Sequence, residues 1–589
     1  MPDILNLKQI TVESFKTGEK IKLDDKTQKA KGGEGIVHIV GNKGYKICFD
    51  GKMIPRKKFE ELNVIQKDNI IVPTDILLYR GKDIGYSFKA VPDNPVTLAE
   101  MMTKPYRKRE NITPEMMAKL ALKYTGNVHH IHKHDGFLMV DGNEFNAMVP
   151  ETYDDIYFID TNSYQTPSYP AEVIMPSIRD WHVEKKNGVY VFTKESDWYS
   201  AAIVTFYMFT AMHAFRGNHP RFTDKKTFMV ENMKHCFSVF NENVKFPKGP
   251  VYYPFEDYIP GGKDGAWMQW YKSIFVDNKR LPAPESFQAS IKLVMKIKEI
   301  IGSDNFAMKE LFEFSSAITG YFRCPNRDVV LTKENLHIGK RTVPRMAKRV
   351  HVGFTPKKSI PFAAWIENDK LKLMNLDTKA NVDVNVSIKK LMSTEGRVYG
   401  LGENHVYEVS FAEVANKIIA TPVVAASVMG NATTLYHGAA IQDNFGKKIV
   451  SLFTASKQHN QFLIKELEAY KITDAKYEDG ILMVVGYNNK EDQYDRMVIR
   501  FDREWKEYEI RKVENINPSG INFTVLPNGT CISINEEEKI EMFSTRIGST
   551  SLQTIDDPAI TMDMHLCRQS DQVKFARDNK LYSFSMKKK

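Results

Sequence analysis

The sequence predicts a multidomain chain of two unlike halves: an α+β half made of two lobes, then an all-β half of six or seven repeated units arranged as a β-propeller. Three observations predict this. Short strands with one helix fill residues 1–92; helical spacing takes over from Leu98; and beyond Val329 the pattern becomes short alternating strands between polar turns. With 589 residues, 42% of them hydrophobic and 26% charged, the chain has the composition of folded globular protein. Its length alone suggests roughly two to four domains. The expected divisions are 1–92, 93–285, a helical linker 286–328, and 329–589.

The totals also exclude functions. Even the most apolar stretch, 201–215, is short and flanked by charge, so no membrane association is expected. The first residues lack a basic region followed by a continuous apolar one, so they do not read as a secretory signal, and a cytoplasmic location is expected. Five scattered cysteines without C-x-x-C spacing argue against a disulfide framework and a structural zinc site. A formal charge of +9 is mild for this length. The one basic cluster, 104–109, reads as a solvated face, and no nucleic-acid partner is predicted.

In the first lobe, Ile21-Lys22-Leu23 marks an early strand. Residues 30–40 follow, with Gly32, Gly33 and Gly35 ahead of the β-branched run at Val37. Such a hairpin lets backbone approach phosphate oxygens without interference from Cβ atoms. The next strand, 44–49, carries one lysine, Lys46, among apolar neighbours, where a charged amine needs an anionic partner. A helix over 54–67 follows from the spacing of Phe59, Leu62 and Ile65, and it bears Glu60 and Glu61. Strands at 70–72, 75–79 and 84–91 complete an antiparallel sheet that runs into the turn at Pro92 and Pro95.

The second lobe holds the polar residues that suggest chemistry. After a helix over 114–132, Asp141 and Asn146 stand in a polar turn between apolar runs, and Asp160 follows the short strand Tyr157-Phe158-Ile159. One carboxylate to orient an attacking hydroxyl, with an amide oxygen and a second carboxylate to hold Mg²⁺, is the layout of a phosphoryl-transfer site. An N-capped apolar helix opens near Ser196 or Asp197.

These residues resemble the protein-kinase family. Gly32, Gly35 and Val37 match its glycine-rich loop, and Asp141-x4-Asn146 matches its catalytic loop. The resemblance implies a bilobal fold that uses ATP and Mg²⁺. Lys46 would position phosphates and Glu61 would hold Lys46. Gly33, Lys89 and Val91 would border the nucleotide. Asp141 would orient a protein hydroxyl, Ser or Thr before Tyr, and Asn146 and Asp160 would bind metal. His132 resembles the histidine that ends the helix before the catalytic loop, Asp197-Trp198 the pair whose aspartate braces that loop, and Arg280 the arginine after the penultimate helix. The departures are Ala30 for the first loop glycine, Met139 and Val140 for His and Arg, Thr161-Asn162 after Asp160, and no A-P-E. They leave a non-catalytic pseudokinase scaffold as one alternative. The absence of a lysine in Gly142-Asn143-Glu144 leaves a small-molecule phosphotransferase as another. The divergence is of the bacterial or bacteriophage-encoded sort, which would place the protein in the host cytoplasm or with the virion.

The linker is expected to be helical over 291–301 and 308–321. Beyond it, turn-plus-alternation units are anchored at Leu371, Val406, Ile449, Met497, Ile540 and Leu581, at intervals of 35, 43, 48, 43 and 41 residues, a period near 40 to 45 that suits propeller blades. Leu336-His337-Ile338 would begin a seventh; two packed β-sandwich domains are the alternative. No G-H or W-D signature and no acid or histidine cluster marks a second active site, so this half is expected to bind a protein substrate or an assembly partner.

Overall fold

The computed structural model describes residues 9–587, except 25, 173, 187–188, 247–253, 287–302, 325–326, 415–416, 455–458 and 519. Its N-terminal part is α/β. Strands β1 (Gln9–Ser14), β2 (Lys20–Asp24), β3 (Gln28–Lys31), β4 (Gly35–Val40), β5 (Lys43–Cys48), β6 (Pro73–Tyr79) and β7 (Lys82–Lys89) form one antiparallel sheet in the order β2-β1-β6-β7-β5-β4-β3. Alternation decides the faces: in β1, Ile10 and Val12 are buried while Gln9, Thr11 and Glu13 face out. One helix, α1 (Arg56–Leu62), packs Phe59 and Leu62 into the core.

Among the described residues six further α-helices follow: α2 (Leu98–Met101), α3 (Lys104–Arg109), α4 (Pro114–His132), α5 (Lys194–Thr210), α6 (Phe228–Lys234) and α7 (Ala266–Phe275). Helix α5 is apolar all round and accordingly sits at the centre, with Phe206 edge-on to Tyr271 and Phe209 edge-on to Trp267 of α7. Basic helix α3 is not a solvated face throughout. Arg107 is buried and donates to the carbonyls of Met101, Tyr207 and Phe209, which ties α3 to the end of α5. A small sheet, β8 (Val96–Thr97), β9 (Ala147–Val149) and β10 (Tyr157–Phe158), carries the polar turn between α4 and β9. No helix among the described residues is long and apolar enough to cross a membrane.

The C-terminal part is all β, with seven four-stranded antiparallel sheets among the described residues. Six are consecutive meanders. In the seventh, Phe306–Glu313 from the start of the region pairs with Lys580–Met586 at its end. The segment 308–321, expected to be helical, is therefore two strands, Phe306–Glu313 and Ile318–Cys324. The reason is a β-bulge between Glu310 and Phe312, which shifts the alternation so that Met308, Leu311 and Phe312 mimic a helical face. The other expected linker helix, 291–301, lies outside the described residues.

The anchors Leu336, Leu371, Val406, Ile449, Met497 and Ile540 all fall on the third strand of their sheets, and Leu581 on the strand that receives Phe306–Glu313. Neighbouring sheets share apolar clusters. Val352 packs with Val329, Phe362 with Val398, and Ile318 and Val330 of the first meander with Ala576 and Leu581 of the seventh sheet.

Candidate functional site

Helix α4 ends at His132, and the polar turn beyond it is held by Asp197. That buried carboxylate accepts the N–H groups of Met139 at 2.7 Å and Val140 at 2.8 Å and lies 2.9 Å from His132 Nε2. It is available because α5 is capped one turn earlier than expected. Thr193, not Ser196 or Asp197, is the cap: its hydroxyl accepts the Ser196 N–H while the Ser196 hydroxyl accepts the Thr193 N–H. Val140 has φ 55°, a left-handed conformation costly for a β-branched residue, and the two bonds to Asp197 hold it there.

Asp141 comes next and is half-buried. Its Oδ1 accepts the Met175 N–H at 3.0 Å, and Asn146 Nδ2 donates to the Asp141 carbonyl at 2.9 Å and to Oδ2 at 3.2 Å. Burial raises the Asp141 pKa, and the Met175 N–H works against that shift. The amide of Asn146 thus spends its N–H on Asp141, which leaves its oxygen as a hard donor of the kind Mg²⁺ prefers.

Asp160 follows β10 with φ 57° and gives Oδ1 to Lys46 Nζ at 2.9 Å. Lys46 is buried on β5, opposite Val37 of β4 and Tyr86 of β7. Its ammonium also donates to Glu34 Oε2 at 2.9 Å and to Asn162 Oδ1 at 3.3 Å, while Asn162 Nδ2 closes the network on Glu34 at 2.7 Å. Burial opposes the charge on Lys46. The surrounding Asp160, Tyr86 and Glu34 outweigh it and hold the pKa above its ordinary value.

Glu34 stands at the tip of the glycine hairpin. Gly32 donates its N–H to the Gly35 carbonyl at 2.9 Å, and Gly32 and Gly33 face open space. Gly35 is there for closeness: a Cβ would lie 2.3 Å from the Ile47 carbonyl oxygen.

The expected Lys46–Glu61 pair does not form. Helix α1 turns Phe59 and Leu62 inward, and Glu61 instead accepts the Ser168 N–H at 3.3 Å in the segment after Asp160. Lys89 and Val91 lie at and just after the end of β7, where the exposed Lys89 pairs with exposed Asp68 at 3.3 Å. Arg280, whose partner the sequence left open, makes a two-pronged pair with buried Asp180, at 2.6 and 2.9 Å.

Three site residues escaped sequence reasoning: Glu34, Asp180 and Lys471. Glu34 was hidden in plain view between glycines. Asp180 stands where no A-P-E pattern pointed. Lys471 comes from the all-β half, in strand Tyr470–Glu478, and lies over the Phe145 ring of the polar turn at 4.4 Å. Around it, Phe145 packs against Tyr487 and Tyr494, and Tyr494 donates to Glu144 at 3.3 Å. The all-β half also contains an acidic group, Glu395, Glu478 and Asp479, that spacing did not reveal. Arg323 and Arg568 meet its charge, as an internal salt-bridge network would.

No protein-family model matches this chain, and no curated protein matches it. Among solved structures, one similar to it is described as the ROP18 kinase domain in complex with AMP-PNP and sucrose. It is 11% identical, the match covers 38% of this chain and 76% of that one, and the TM-score is 0.28. At that score the likeness adds nothing to what the residues themselves carry.

Proposed function

We propose that the protein is an ATP- and Mg²⁺-dependent protein kinase with a bilobal kinase-like fold, acting on Ser or Thr hydroxyls. The observation that carries this reading is that Lys46, from β5, meets Asp160, while Asn146, bonded to Asp141 by its side chain, is tied to the strand before Asp160 by its carbonyl, which accepts the Ile159 N–H at 2.9 Å, in a loop braced by Asp197. Asp141 takes the proton of the acceptor hydroxyl as its oxygen bonds to the γ-phosphorus. The bond to the β,γ-bridging oxygen breaks and ADP leaves with that electron pair. Asn146 and Asp160 supply the oxygens for Mg²⁺, which neutralises phosphate charge.

Transfer of labelled γ-phosphate from Mg-ATP, to the chain itself and to a generic protein substrate, tests this. Asp141→Ala is expected to lower transfer by about 10²- to 10⁴-fold, the usual worth of general acid–base positioning. Nucleotide binding without transfer by the wild type supports a second reading, the pseudokinase scaffold. That reading has its own observation: Glu34 occupies the face of Lys46 that phosphates would need.

The all-β half we read as a seven-bladed propeller that recruits substrate or docks the kinase on an assembly. Pairing of the first strand with the last sheet, and the cluster shared by the first and seventh sheets, support ring closure. Deleting 306–313 is expected to abolish the cooperative unfolding of this half; an unchanged transition refutes closure.

A further inference from the structure

A phosphoryl-transfer site gathers negative charge from its carboxylates and its nucleotide, and cations aimed at the transferring group are what stabilise it. In this cleft Lys46 is already shared between Glu34, Asp160 and Asn162. The turn Gly142-Asn143-Glu144 next to Asp141 holds no cation at all.

Lys471 enters from the other half of the chain. Its side chain is exposed to solvent where strand Tyr470–Glu478 meets the turn that holds Phe145. No described carboxylate lies within ion-pair distance of it, and the Phe145 ring 4.4 Å beneath the ammonium is the contact that fixes it. The acids that act on it are Asp160, Asp141 and Glu144, all from the catalytic side and none from its own sheet. The ammonium is solvated and holds no described carboxylate, so its donors are available to an anionic ligand. A solvated ammonium with no carboxylate partner can exchange water for a phosphate oxygen, and the charge-assisted bond it then makes is a strong one.

We infer that Lys471 completes the active site from the all-β half, its ammonium contacting the γ-phosphoryl group between Asp141 and Asp160. This rests on the phosphotransfer reading above. The two halves then form one composite site, in which the β half supplies a catalytic cation and not only a docking surface. Strand Tyr470–Glu478 is well placed for it, because Tyr487, the register partner of Lys471, packs against Phe145 with ring centroids 4.8 Å apart and locks the strand onto the catalytic turn.

The test compares full-length wild type, Lys471→Met and Lys471→Arg for Mg-ATP and Mg-ADP affinity and for single-turnover transfer. Lys471→Met is expected to weaken Mg-ATP about 10-fold with Mg-ADP unchanged, the loss of one charge-assisted bond to the γ-phosphate alone. Transfer should fall by about 10²-fold, as for other single donors to a transition state. Lys471→Arg should recover most of both. Equal weakening of ATP and ADP would mark a merely structural role and overturn the inference, as would no change in either. Wild type that binds neither nucleotide refutes the phosphotransfer reading itself, and the inference falls with it.

Discussion

Glu34, the residue between Gly33 and Gly35 at the hairpin tip, holds the Lys46 ammonium at 2.9 Å, where a carboxylate from α1 was expected. On the proposed phosphotransfer reading the same lysine face receives phosphate oxygens, so Glu34 would compete with nucleotide. Glu34→Ala should therefore tighten Mg-ATP binding. The pair is half open to solvent at Glu34, so the gain is modest, about 2- to 5-fold. Glu61→Ala, by contrast, should leave affinity within about 2-fold, since losing a half-exposed bond to Ser168 is worth little. Calorimetric titration of both variants decides between them, and a loss of affinity in Glu34→Ala would make the hairpin carboxylate a binding element.

Asp197 concentrates three buried partners on one carboxylate. Asp197→Ala leaves the Met139 and Val140 N–H groups and His132 without it, in a core that water does not reach. A cost of about 2 to 6 kcal/mol is expected in urea unfolding, about 1 to 3 kcal/mol for each buried N–H left without its acceptor. Because Val140 holds its left-handed backbone through these bonds, transfer should be lost even where the variant remains folded.

The Asp180–Arg280 pair makes a pH prediction in two parts. Bonds from Arg280 and His182 overcome burial and hold Asp180 down to about 2. Its contribution is fully present above the unfolded carboxylate pKa, near 4, and is lost as pH falls toward 2. Bonds to Asp180 and Cys236 raise His182 to about 9, so its contribution is present below about 6.5 and fades as pH rises through 9. The stability gap between wild type and Asp180→Asn, followed by chemical unfolding, should be widest from about pH 4 to 6.5 and should narrow on both sides. A gap that is flat from pH 3 to 9 would show that the ion pair is not what anchors this segment.

What the sequence revealed, and what it did not, divides along one physical line. Lys46 was legible as the one charge in an apolar strand, Asp141 and Asn146 as a spaced pair in a polar turn between apolar runs, Asp160 as an acid at a strand end, and Asp197 as an acid at the head of an apolar helix. The third-strand anchors of the β half were legible because a polar turn followed by an apolar strand recurs at a nearly regular spacing. Partners were not legible. Which carboxylate meets Lys46, or which acid meets Arg280, depends on how distant segments pack, and Glu61 had the right local setting yet the wrong face of α1. Strand Phe306–Glu313 misled for a related reason, since its β-bulge and its pairing with the last strand are tertiary facts that override helix-forming residues. Lys471 belongs to another half of the chain, and nothing near it in sequence speaks of phosphate.

The junction of the two halves should respond to pH in the opposite sense to Asp180. Burial pushes Glu144 up to about 7, with Asp492 adding to the shift, and pushes Asp492 itself up to about 6. Glu144 faces the Tyr494 hydroxyl and Lys471, and Asp492 faces the Tyr487 hydroxyl and Arg216. Both acids are favoured neutral when the halves are packed and ionise near 4 to 4.5 when the junction opens. Closing the junction therefore takes up protons, so packing weakens as pH rises from about 4.5 to 7 and changes little beyond. Hydrogen exchange around Phe145 and Tyr494, corrected for the intrinsic rate at each pH, should show more protection at pH 5 than at pH 8. Glu144→Gln should remove most of the difference and leave the smaller part that belongs to Asp492. Protection that rises with pH would mean that Lys471 and Arg216 keep these acids ionised in the closed junction, and the composite site would then be held by ion pairs instead of neutral hydrogen bonds.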